Sequence, residues 1–78
     1  MMNLVFSNAH YQVVEYPELE AFELVDARRG TGVFIQGEVA RVFRASMEGL
    51  LAQEPTEQEV EGVIGNFDAL MTQPLLYH

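Results

Sequence analysis

Twelve carboxylates, four arginines, two histidines and three tyrosines make up the ionisable inventory of this 78-residue chain. There is no cysteine and no lysine. Thiolate zinc sites and disulfides are therefore excluded, and so are a lysine Schiff base and a phosphate-binding P-loop. His10 and His78 stand alone, with no His-x-x-x-His spacing to suggest a metal. Ser7 and Ser46 lack the glycine-flanked setting of a nucleophile elbow. Glu57, Glu59 and Glu61 crowd together, but they read as the solvated start of a helix. Gly30-Thr31-Gly32 lies between two strand patterns, where glycine serves turn geometry rather than a phosphate. The sequence predicts no catalytic residue, no metal and no cofactor.

The arginines are the more informative group. Residues 1–27 carry five acids and no base, and residues 45–78 carry six acids and no base. Arg28, Arg29, Arg41 and Arg44 all fall in the short stretch between, beside Glu38 alone. If the loop holding Arg28 and Arg29 folds toward the helix holding Arg41 and Arg44, four guanidinium groups make one basic spot. Such a spot would suit a carboxylate or phosphate of a partner. The alternative is that each arginine pairs with a glutamate of its own chain. The net charge of −8 disfavours nucleic acid and anionic membrane as general partners.

The elements that must position these groups follow from periodicity. Apolar residues recur at a spacing of two before Gly37 (Phe22, Leu24, Val33, Ile35), and at three and four after it (Val39, Val42, Phe43, Met47, Leu50, Leu51). Strands are expected over 3–6, 11–16, 22–27 and 32–36. Pro17 ends the second, since proline cannot donate to a ladder. Pairing Ala27 with Gly32 across a four-residue loop sets Leu24 opposite Ile35 and Val25 opposite Phe34. Phe22, Leu24, Val33 and Ile35 then form the core face.

A first helix is expected from Glu38 to about Gln53, with Glu38–Arg41 and Arg44–Glu48 at neighbour spacing. Glu54-Pro55 stops it. Thr56-Glu57-Gln58-Glu59 is a capping box for a second helix bearing Val60, Val63, Ile64 and Phe67. That helix either continues to Leu70 and Met71 or ends at Gly65-Asn66. The fold class is α+β: one domain, a small antiparallel sheet of three or four strands within 1–36, and two helices within 38–71 packed on one face. A short tail, Leu75 to His78, follows.

The stretch Gly65-Asn66-Phe67-Asp68-Ala69-Leu70-Met71-Thr72-Gln73-Pro74, ending in His78, resembles the end of a family of short bacterial proteins of unknown function. Phe22-Glu23-Leu24-Val25-Asp26 and Val33-Phe34-Ile35-Gln36-Gly37 fit it too. Members often have a longer segment before the third strand. The resemblance implies a bacterial, cytoplasmic setting and transfers no mechanism.

No apolar run approaches the roughly 20 residues that a membrane span needs, and Leu4-Val5-Phe6 is too short for a secretory core. A core of this size is marginal and gains from association. Two helices cover one face of a sheet, so Val25 and Phe34 are expected side by side on the other, rimmed by Glu23 and Gln36. Either Tyr11 with Val13 or Val14 with Tyr16 joins them. An apolar strip of that kind is more than a monomer usually leaves wet. The expected function is a non-enzymatic protein-protein interaction or self-association module, with a twofold homodimer packed through this face. A small regulator that binds an anionic ligand or nucleic acid through the arginines is the alternative.

Overall fold

The computed structural model describes residues 2–72. They form strands β1 (Asn3–Ser7), β2 (Tyr11–Tyr16), β3 (Ala21–Asp26) and β4 (Thr31–Gln36), then helices α1 (Gly37–Leu51) and α2 (Glu57–Thr72). A 3-10 turn, Pro17–Leu19, joins β2 to β3. The sheet is an antiparallel meander in the order β1-β2-β3-β4, as expected for the α+β class.

Directly paired residues of antiparallel strands share a face. One row runs Val13–Leu24–Val33 and the next runs Glu15–Phe22–Ile35. This inner face is covered by Ala40, Phe43 and Met47 of α1 and by Val60 and Ile64 of α2, all buried. Spacings of three and four bring each helical set onto one stripe. Phe43 is fully buried and lies edge-on between Phe22 and Phe67, with ring centroids 4.9 and 5.1 Å away. Burying one such side chain contributes about 1.5–3 kcal/mol, before its ring-on-ring geometry is counted.

Gly37 turns the strand into the helix with a φ of +67°. A side chain there would meet no neighbour, so backbone conformation, not space, demands glycine. α1 ends at Leu51, and Glu54 in the left-handed region precedes Pro55. The capping box forms as expected. Thr56 Oγ1 accepts from the Glu59 N–H (3.2 Å), and Glu59 Oε1 accepts from the Thr56 N–H (2.8 Å).

Two expectations need correction, and one open alternative is decided. The β3–β4 hairpin pairs Asp26 with Thr31, so Leu24 faces Val33 and Val25 faces Gly32. The register is two residues away from the Ala27–Gly32 pairing, which preserves the faces but moves the loop to residues 27–30. Asp26 causes the shift, because its Oδ1 accepts from the N–H groups of Arg28 (3.0 Å) and Arg29 (3.1 Å) and its carbonyl from Gly30 (2.9 Å). Arg44 reaches Glu15 rather than Glu48. Of the two alternatives for α2, the longer holds: it runs through Gly65-Asn66 as one helix to Thr72. The tail expected over 75–78, and with it the end of the family-like stretch, lies outside the described residues.

Candidate functional site

The hairpin that carries Arg28 and Arg29 folds toward α2, not α1. Arg29 Nε lies 3.2 Å from Asp26 Oδ2, and its Nη2 lies 3.4 Å from Asp68 Oδ2 on α2. Both aspartates are buried. Burial pushes the Asp26 carboxyl up, but the N–H groups of Arg29 and Arg28 and both guanidinium charges outweigh it, leaving its pKa lowered. The Arg28 guanidinium stands 5.9 Å from the centre of the Tyr11 ring.

On α1, Arg41 pairs with Glu38 at 2.7 Å, and Arg44 pairs with Glu15 at 2.7 Å while lying over the Phe22 ring. Glu15 and Asp26 sit four residues apart along the paired strands β2 and β3, about 13 Å. The two arginine pairs therefore work at different ends of the sheet, and no four-arginine spot forms.

In the sequence His10 stands alone, and Glu57 and Glu61 read as solvated. The structure brings them together. Asn8 Oδ1 accepts from the N–H groups of His10 (2.9 Å) and Tyr11 (2.8 Å), which fixes its amide nitrogen toward Glu57 and Glu61. His10 Nδ1 lies 3.0 Å from Glu61 Oε1. The His10 hydrogen bond lowers the Glu61 pKa; burial opposes it, and Asn8 and the His10 and Arg28 charges add to it. Tyr11 also explains Gly65, since its hydroxyl lies 3.3 Å from where a Cβ would stand. The one signal in the sequence was the spacing of four between Glu57 and Glu61, which puts both on one helix face.

Chemically this cluster is a latch that pins α2 to two hairpin tips. Its two shifted carboxyls are both lowered, which favours permanent anions over acid–base catalysts. Among the described residues no group of three His, Cys, Asp or Glu is placed to hold a metal. An apolar cavity of about 180 Å³ opens between the helices, lined by Glu38, Val39, Val42, Phe67 and Leu70.

The outer face of the sheet has a different character. Val14 and Tyr16 point outward, and Tyr11 and Val13 point inward. One outward row runs Leu4–Val14–Glu23–Phe34, and the next holds Val25 opposite Gly32. Phe34 is 46% exposed and Leu4 60%. Tyr16 packs against Phe34 with centroids 5.9 Å apart, and its hydroxyl donates to Glu23 Oε1 at 3.1 Å. Burial, and then the Glu23 carboxylate, raise the Tyr16 pKa, so this hydroxyl remains a donor. Glu23 was expected at the rim. The register puts it in the middle of the row, between Val14 and Phe34.

A four-stranded antiparallel meander with two helices on one face defines a small α+β protein. The chain belongs to the family described as "Protein of unknown function (DUF3567)", whose model matches residues 2–78. It is 35% identical over 85 aligned residues to a curated protein of Burkholderia thailandensis, covering 99% of this chain and 100% of that protein. The bacterial family expected from the residues is thus shown. No solved structure matches the chain. No helix among the described residues is long and apolar enough to cross a membrane.

Proposed function

We propose that this chain is a non-enzymatic protein-binding module that works through the outer face of its sheet. The observation that carries the reading is the row Leu4–Val14–Glu23–Phe34 on the face opposite the helices, apolar apart from one acid, with Leu4 and Phe34 exposed at either end and Val14 buried between them. The face holds no lysine or arginine: its outward positions are Leu4, Ser7, Gln12, Val14, Tyr16, Ala21, Glu23, Val25, Gly32, Phe34 and Gln36. The partner that fits is a protein surface with apolar side chains around one cation, which would meet Glu23. Burying Glu23 without such a cation is costly.

The test is a photo-crosslinking amino acid placed at Val25 in the source bacterium, with Arg41 on the solvent side of α1 as the control site. A protein adduct from position 25 that is absent from position 41, and that weakens when Glu23→Gln is added, supports the reading. Equal labelling from both positions, or none from either, overturns it.

A further inference from the structure

The two edges of the sheet are not equally protected. β1 carries a register shift between Leu4 and Phe6, the kind of bulge that bends an edge away from further pairing. β4 pairs with β3 without interruption over all six residues, Thr31–Gln36. It contains no charged residue and no proline, the usual devices that stop an edge from pairing. β1 is uncharged and free of proline as well, so the bulge is what distinguishes the two edges.

We infer that a second copy of this chain pairs with the β4 edge, antiparallel and about a twofold axis, extending the two sheets into one. The inference rests on reading the chain as an interaction module, and it names a partner and a geometry for it. Face-to-face dimerisation is disfavoured by the same reasoning, because it would bury Glu23 on a face that holds no cation. The edge has no such obstacle.

The symmetry fixes the register to alternatives in which one residue pairs with its own copy, since opposed residues share a face. Phe34 is the exposed apolar residue near the middle of β4. Centring the axis on it sets Phe34 against the partner's Phe34 and Gly32 against the partner's Gln36. The Arg28–Arg29 tip then approaches the partner's Glu38, whose side chain is 77% exposed. Glu38 is paired with Arg41 of its own chain and Arg29 with Asp26 and Asp68, so Arg28 is the cation of the tip that this approach adds to Glu38. The two outward rows join into one apolar surface about twice as wide, which suits partner binding.

Sedimentation equilibrium and amide hydrogen exchange on the native chain test the inference. In an isolated edge strand, amides that point away from β3 alternate with ladder amides and exchange fast. The expected result is a dimer at micromolar concentration in which those outward amides of 31–36 slow by about tenfold or more as concentration rises. In this chain without native cysteine, Phe34→Cys is expected to cross-link between copies faster than Val25→Cys. A native chain that stays monomeric at high micromolar concentration overturns the inference. So does a dimer whose outward β4 amides exchange as fast as in dilute solution, a result that removes this geometry while leaving the crosslinking test of the binding face to stand or fall separately.

Discussion

On the inner face of the sheet the chain supplies a cation for each acid: Arg44 stands against Glu15, and Arg29 against Asp26. On the outer face Glu23 meets only a tyrosine hydroxyl among its described partners. The same strands bear both faces, so the difference lies in what covers them. Where α1 and α2 close over the sheet, water is lost and acids need counter-charges from the same chain. Where no helix lies, the acid keeps its water, and apolar neighbours such as Phe34 remain exposed. This contrast is what the proposed binding role of the outer face rests on.

The sharpest way to break that contrast is to truncate one aromatic on each face. Phe43→Ala removes the ring between Phe22 and Phe67 and leaves a cavity in the core. A loss of about 3–5 kcal/mol is expected in urea unfolding. A loss below about 1 kcal/mol would mean that the helices do not close over the inner face as described.

Arg29→Ala comes next. Although the Arg29 side chain is 57% exposed, its head bridges Asp26 and Asp68, whose side chains are 5% and 7% exposed. Removing it leaves two buried carboxylates near one another. Its melting temperature is expected to fall further than that of Arg41→Ala, where an exposed i,i+3 pair is lost. Equal effects would show that the hairpin tip is not fastened to α2.

Acid sharpens the same point. The folded-state pKa of Asp26 is lowered, so the unfolded chain takes up the proton first as pH falls. Its stabilisation is present above the ordinary aspartate range near pH 4 and is lost below it. Glu61 adds a loss of the same sign in the same window. Melting temperatures at pH 6 and pH 3 are expected to differ less in Arg29→Ala than in the native chain.

These two regions were unequally legible in the sequence. The change of period at Gly37 and the capping box at Thr56 are local signals, and both elements formed where they pointed. The inner face was legible too, because a period of two survives a register error of two residues. The hairpin register was not, because Asp26 sets it through side-chain hydrogen bonds to Arg28 and Arg29 that compete with the plain four-residue count. The latch was hidden for a different reason: Asn8 and His10 meet Glu57 and Glu61 some fifty residues away, and that contact exists only once α2 has docked. Glu23 was readable as outward-facing, but its central place depended on the same register.

A moderate effect is expected at the start of α2. Thr56→Ala removes the side-chain acceptor for the Glu59 N–H and should cost about 1 kcal/mol in urea unfolding. An unchanged midpoint would detach the docking of α2 from its cap and place its stability in the latch and the core alone.

The smallest effect is expected at the position most exposed to the comparison. Phe34→Thr keeps a residue suited to strands but removes the ring from the outer row. Phe34 packs against Tyr16 on the outer face, and nearly half its surface is already in water. Surface changes of this kind usually stay within about 0.5 kcal/mol. Thermal unfolding in dilute solution should therefore match the native chain closely, while concentrated samples should lose any gain in melting temperature that association confers. A melting temperature that drops in dilute solution as far as that of Phe43→Ala would make Phe34 a core residue. The distinction between the two faces would then collapse, and with it the reason to read the outer one as a binding surface.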